Sequence, residues 1–311
     1  MSPAVSAESL WQLSGVRFFG PPTLWPCEPL DLAIPPGCTA LLGPSGAGKT
    51  SLIEVLVGLN KPHGGTVRGP SRLAWVPQDH GLWHTHTVRE HLTLVGASTA
   101  ECDALLATFD LAGVRDARAD SLSLGEAARL SVARALAQKA PVIVMDEPLA
   151  HVDTARAGKY WRAIREHVAR TEASLVLATH SAEIALAESE QAICLRNGGI
   201  VFNGKIATLY DQPASEDLAN FLGPANWLTP ADASVWLGAT WPDARCVRPE
   251  RLMISRTDDG CFIVTSSRFL GTSAETELRT SDGTVRMFIH RPTGTLPQGA
   301  RVHIHIADQN P

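Results

Sequence analysis

Gly43-Pro44-Ser45-Gly46-Ala47-Gly48-Lys49-Thr50 is the stretch on which the reading of this chain turns. It lies between an apolar run, Cys38-Thr39-Ala40-Leu41-Leu42, and a segment of helical pattern from Thr50 to Leu59. A G-x-x-x-x-G-K-[ST] string carries meaning in that setting, with a strand before it and a helix after it. Its glycines let the backbone wrap closely around phosphates, and the loop N–H groups cradle them. Gly43 to Thr50, with Ser51 beside them, are therefore read as phosphate-binding. Lys49 is placed to reach the β- and γ-phosphates, and the Thr50 hydroxyl to sit on Mg²⁺.

Working outward, Pro141-Val142-Ile143-Val144-Met145 and Ser174-Leu175-Val176-Leu177-Ala178 are continuous apolar runs of strand length. Such runs suit a sheet buried on both faces. Helical patterns follow from Gly125 to Gln138 and from Thr154 to Arg170. The alternation predicts an α/β fold with a mainly parallel sheet. The strand ends carry polar residues. Asp146 and Glu147 follow an apolar strand, where two adjacent carboxylates are costly unless they face a cation or a polarised water. Asp146 is read as holding the metal through water and Glu147 as the base that polarises the attacking water. The same pair also fits a helix cap with a first-turn acid. His180, in Ala178-Thr179-His180, ends the next strand and suits a γ-phosphate contact. Gln78, in Trp75-Val76-Pro77-Gln78, can reach the metal or the water.

One turn poses a question. In Asp120-Ser121-Leu122-Ser123-Leu124-Gly125-Glu126 a polar turn runs into an Ala- and Leu-rich helix. A Ser-x-Gly turn there can be a helix cap, or it can be an anion site built from unpaired N–H groups.

The chain has 311 residues, enough for two domains, with 44% hydrophobic and 19% charged residues. A net charge of -5 gives no electrostatic footprint for nucleic acid. Six scattered cysteines without a CxxC read as reduced thiols of a cytosolic protein. The start lacks the pattern of a signal peptide, and no apolar run approaches the roughly 20 residues that cross a bilayer. After about residue 225 the texture changes to Trp, Pro, Thr and β-branched residues. Arg301-Val302-His303-Ile304-His305-Ile306 alternates as a half-buried strand, and Asp282-Gly283 is a hairpin signal. These predict a small all-β domain. His80, His84, His86 and His91 lack the helical spacing or cysteine partners usual in a metal site.

These motifs, in this order, resemble the ATP-binding cassette (ABC) ATPases over about residues 10 to 225. Val16-Arg17-Phe18-Phe19-Gly20 looks like the family's aromatic loop, with Phe19 stacking on adenine. Leu122 to Glu126 matches the signature LSGGQ, Gln78 the Q-loop, and Pro148-Leu149-Ala150-His151-Val152-Asp153 the D-loop with Asp153 as its acid. The resemblance implies a P-loop NTPase cassette, with a RecA-like core plus a helical subdomain, that binds ATP and Mg²⁺. It also implies two cassettes arranged head to tail, Ser123 and Gly125 of one touching the γ-phosphate held by the other. Leu124 stands where the family usually has glycine, Glu126 where it has glutamine, and His151-Val152 where it has Ala-Leu. The stretch from Gly65 to Gln78 looks shorter than in most importer cassettes.

The tail, through Val247-Arg248-Pro249-Glu250 and Arg268-Phe269-Leu270-Gly271, resembles the OB-like TOBE domain of importer ATPases. The implied division is a cassette over residues 1–225 and a regulatory domain over 226–311. The implied function is the ATP-hydrolysing subunit of an importer for an inorganic ion or polyamine, at the cytoplasmic face of the inner membrane. Its partners would be a second copy, transmembrane permease subunits and an extracytoplasmic solute-binding protein, with no nucleic acid. The alternatives are a soluble ABC ATPase outside transport and a regulatory module that dimerises on ATP and turns over slowly.

Overall fold

The computed structural model describes residues 9–18, 29–292, 294 and 296–307. The chain forms two compact units, residues 1–206 and 207–311.

The first unit opens with β1 (Trp11–Arg17), β2 (Leu30–Ile34) and β3 (Cys38–Leu42), then α1 (Lys49–Leu56), β4 (Gly64–Arg68) and β5 (Ala74–Val76). Helices α2 (Val88–Thr93), α3 (Thr99–Thr108) and α4 (Leu124–Ala137) follow. The chain then alternates through β6 (Val142–Asp146), α5 (Thr154–Thr171), β7 (Ser174–Thr179), α6 (Ala182–Glu188), β8 (Gln191–Arg196) and β9 (Gly199–Lys205). The main sheet has the order β5-β6-β7-β3-β8-β9. It is parallel from β5 to β8, and β9 is antiparallel. An antiparallel sheet, β2-β1-β4, stands beside it.

The continuous apolar runs follow from two-sided burial. In β6 and β7 the residues Ile143, Met145, Leu175 and Leu177 enter a core shared with α2 to α5. Their neighbours Val142, Val144, Val176 and Ala178 enter a second core with Trp11, Leu52 and Ile53. Successive strand side chains point to opposite faces, so neither face can be polar. Trp11 is fully buried and donates its indole N–H to the Leu56 carbonyl (3.0 Å), which tethers β1 to the end of α1.

The second unit contains α7 (Ile206–Asp211), which begins at the division, α8 (Glu216–Phe221), β10 (Asn226–Leu228), α9 (Pro230–Leu237) and β11 (Arg245–Val247). A five-stranded antiparallel sheet follows: β12 (Leu252–Arg256), β13 (Phe262–Phe269), β14 (Ala274–Arg279), β15 (Val285–His290) and β16 (Arg301–Ile306), in the order β12-β16-β13-β14-β15. A bridge between Met253 and Arg291 brings the two edge strands together. The Asp282-Gly283 turn joins β14 to β15, and Val302 and Ile304 fill the core as their alternation predicts. Helix α9 escaped the sequence reading. Its signals are Pro230 at the first helical position and a Thr229–Asp232 capping box.

Arg248 organises this unit. It is 1% exposed. Its Nε donates to the Tyr210 carbonyl (3.0 Å), and its Nη1 to those of Ala219, Gly223 and Pro224 (3.0, 3.1 and 3.2 Å). The guanidinium also lies over the Tyr210 ring, 4.1 Å from its centroid. This tie is why residues 207–225 group with the C-terminal unit, although the change in composition comes later.

Candidate active site

Four adjacent parallel strands, β5, β6, β7 and β3, end at one edge of the main sheet. At or just beyond these ends stand Gln78, Asp146 with Glu147, Thr179 with His180, and the loop 43–48. The carboxyl edge of such a sheet is where α/β proteins place ligands.

The loop owes its shape to its glycines. Gly46 and Gly48 have φ of +80° and +100°, in the region glycine enters without a Cβ penalty. A Cβ on Gly43 would lie 2.4 Å from the Leu195 carbonyl oxygen, so only glycine fits beside the end of β8. The Lys49 ammonium is buried beneath the loop and donates to the carbonyls of Gly43 (2.8 Å) and Pro44 (3.1 Å). Burial lowers its pKa, while the carboxylates of Glu147 and Asp146 oppose that shift. The Thr50 hydroxyl donates to Asp146 Oδ2 (2.7 Å). Burial raises the pKa of the Asp146 carboxyl, the Thr50 bond lowers it, and Glu147 raises it further.

Glu147 leaves the strand in a left-handed conformation, φ +48°, which is costly for a residue with a side chain. Its main-chain N–H donates to the Ala178 carbonyl (3.0 Å), locking the turn to β7. Its Oε1 accepts from the main-chain N–H of His180 (2.7 Å) and from the ring Nδ1 (2.6 Å). A carboxylate only accepts, so that ring nitrogen carries the proton. Thr179 Oγ1 adds a longer bond to Oε2 (3.4 Å), which the sequence alone did not signal. Gln78 is exposed in the turn after β5. Phe19 lies outside the described residues.

The Ser-x-Gly turn has a definite geometry. Ser123 is the N-cap of α4, in a full capping box with Glu126. Glu126 Oε2 accepts from the Ser123 N–H (2.9 Å) and hydroxyl (2.6 Å), and the Glu126 N–H donates back to Ser123 Oγ (3.3 Å). These bonds hold the Glu126 carboxyl below its usual pKa. Leu124 is 62% exposed. Arg129 anchors the turn: its Nε donates to the Gly125 carbonyl (3.0 Å), and its Nη1 to those of Phe109 (2.7 Å) and Asp110 (3.0 Å). Asp153 caps α5 through a bond from the Ala155 N–H (2.9 Å).

The histidines near Gln78 are structural in part. His91 is fully buried, accepts from the Trp83 N–H (2.9 Å) and meets the Thr87 carbonyl through Nδ1 (2.8 Å).

A phosphate loop on a central strand, with carboxylates on the strand two places over, defines a P-loop NTPase. Comparison with known proteins narrows the class. The ABC transporter family model matches residues 27–150, and the TOBE domain model matches residues 245–310. An aliphatic sulfonates import ATP-binding protein, SsuB 3 of Paraburkholderia xenovorans, is 34% identical over 71% of this chain and 88% of its own length. The Fe(3+) ions import ATP-binding protein FbpC of Pseudomonas fluorescens is 28% identical over 86% of this chain and 88% of its own. A solved ATP-binding subunit of an ABC transporter shares the fold, with a TM-score of 0.58 at 22% identity, over 65% of this chain and 92% of its own. The chain belongs to the ATP-binding proteins of ABC transporters, the ATP-hydrolysing members that carry a TOBE domain. Among the described residues no helix is long and apolar enough to cross a membrane.

Proposed function

We propose that this chain is the ATPase subunit of an importer for a small solute, of the inorganic-ion or polyamine class, working at the cytoplasmic face of the inner membrane. It pairs head to tail with a second copy and docks on transmembrane permease subunits, which receive solute from an extracytoplasmic binding protein. The functional cassette runs to residue 225 and the regulatory domain from 226. The observation that carries this reading is the convergence of Lys49, Thr50, Asp146, Glu147 and His180 at adjacent strand ends. The import names of the relatives at 28% and 34% identity support the transport part.

The family resemblance, together with the contacts around Lys49, Thr50, Asp146 and Glu147, supports the residue roles in this reading. Loop N–H groups from Gly43 to Ser51 cradle the phosphates. Lys49 is held at the loop by two carbonyls and turns its charge to the β- and γ-phosphates. Phe19 stacks on adenine. Thr50 and Asp146 place two hard oxygen donors side by side, a set that fits Mg²⁺, and Gln78 offers a third. Mg²⁺, when bound there, neutralises charge on the phosphates. Glu147 orients the attacking water and takes its proton, and His180 holds that carboxylate in place and senses the γ-phosphate. Ser123 and Gly125 complete the site on the second copy, where the N-terminus of α4 attracts a phosphate. Asp153 lines the same interface.

Glu147→Gln tests the assignment. Turnover should fall by roughly 10²- to 10⁴-fold, the usual worth of a general base. ATP binding should persist, and ATP should trap a dimer. Wild-type turnover in this variant would remove Glu147 from the chemistry. Loss of ATP binding together with turnover would make it a structural residue.

A further inference from the structure

The turn after Glu147 carries His151, a residue with no part in the roles above. Three loops meet on it. Its ring stands edge-on to the His80 ring, with 5.7 Å between centroids and 89° between planes. Its main-chain carbonyl abuts the signature turn, since a Cβ built on Gly125 would lie 3.1 Å from it. His151 therefore touches the Q-loop with its side chain and the signature with its backbone, inside one chain.

The partner ring is fixed. His80 is buried two residues beyond Gln78, in a left-handed conformation with φ +68°. Its N–H donates to the Pro77 carbonyl (2.9 Å), which closes the turn. Its carbonyl accepts from Ser131 Oγ (2.8 Å) and Arg134 Nη2 (3.1 Å), both on α4. Arg134 Nη1 also holds the Gly81 carbonyl (2.7 Å). The Q-loop is thus tied to the body of the signature helix, and His151 closes the circuit at the helix's N-terminus. The bonds from Ser131 and Arg134 hold the Q-loop to α4, while His151, itself exposed, adds one ring contact and one backbone approach that link the two loops directly. Asp153, two residues further on, caps α5 and sits on the same turn.

We propose that His151 is a positioning residue that keeps Gln78, the Ser123–Gly125 turn and Asp153 in one register within a single chain. Movement at the Q-loop then reaches the signature turn and the D-loop together. The inference rests on the ATPase reading, because the register matters for turnover.

The test uses the full chain and compares wild type, H151A, H80A, the double variant and H151F. Steady-state ATP turnover should show kcat down by roughly three- to thirtyfold in H151A, the span of typical coupling energies, with KM for ATP little changed. H80A should behave alike, and the double variant should be no worse than either single one. H151F, which keeps the edge-on contact, should recover most of the rate. Wild-type kcat in H151A, or losses that multiply in the double variant, would overturn the proposal. Hydrogen exchange gives a readout that needs no turnover. H151A should speed exchange at the amides of residues 79–81 and of residues 124–127. Acceleration confined to residues 149–153 would overturn the proposal even in a chain that hydrolyses no ATP. A wild type without turnover would instead count against the ATPase reading.

Discussion

The Ser123 hydroxyl donates to the Glu126 carboxylate at 2.6 Å, so the signature serine is already bonded to an acid of its own helix. The same acid accepts the Ser123 N–H, and both lie at the positive end of α4. A capping glutamate steadies the turn but sets a negative charge where a second copy's triphosphate should arrive. Glu126→Gln keeps an oxygen acceptor for the cap and removes the charge. The expected result is tighter ATP-dependent dimerisation by a fewfold, larger at low salt because the effect is electrostatic. Sedimentation of Glu147→Gln and of the Glu126→Gln, Glu147→Gln double variant at two salt concentrations measures it. Equal dimer affinity would show that the charge lies away from the nucleotide.

The Thr50–Asp146 bond pairs the two oxygens assigned to the metal. Thr50→Val keeps the shape of the side chain and removes its hydroxyl. The Mg²⁺ concentration for half-maximal turnover should rise at least about tenfold, since a metal ligand is lost. Titrating Mg²⁺ at fixed ATP checks this. An unchanged midpoint would move the metal away from Thr50.

Acid should destabilise the protein in a definite window. Burial lowers the pKa of His80, His91, His167 and His290. These rings stay neutral in the fold, while the unfolded chain takes up protons near pH 6.5. Their contribution is complete above about pH 6.5 and is lost as the pH falls towards the folded values. Asp110 acts later. Its carboxylate, held low by Lys159, Tyr160 and Arg156, loses its contribution only below the usual carboxylate range. Melting temperature should hold steady from pH 8 to 7 and fall between pH 6.5 and 5. A flat profile across that window would mean that the histidines titrate normally.

Arg248 should be the most sensitive position of the C-terminal unit. Arg248→Met keeps bulk but leaves the carbonyls of Tyr210, Ala219, Gly223 and Pro224 without this donor. Bonds from a charged group are worth about 1.5–3 kcal/mol each, so the loss should reach several kcal/mol. Arg248→Lys should rescue only part, because a point charge lacks the planar fork. Urea unfolding of the full chain reads both.

Much of this was legible in the residues. The strands at Cys38–Leu42 and Arg301–Ile306 have the limits their patterns predict, because burial on two faces or on one writes itself into hydrophobic period. The loop at Gly43–Thr50 was legible because sterics leave little choice there. The Asp146–Glu147 pair read in two ways. The fold sets Glu147 against His180, a contact between residues far apart in sequence. Ser123 likewise read as a cap or an anion site, and here the cap is complete. Neither the Arg134 tie to the Q-loop nor the Arg248 hub has a local signature, since each bonds carbonyls, which every residue carries. Helix α9 was missed because a short helix amid β-branched residues offers too few turns to show a period.

The contact between Gly43 and the Leu195 carbonyl separates two glycines that look alike on paper. Position 46 has open space around its missing side chain and only a conformational objection to one. Position 43 is walled by backbone that cannot step aside, because β8 is held on both edges by its neighbours. In a library of variants selected for function, residue 46 should admit the occasional asparagine. Residue 43 should remain a single letter, a silence in the mutational record imposed by a strand more than a hundred residues away.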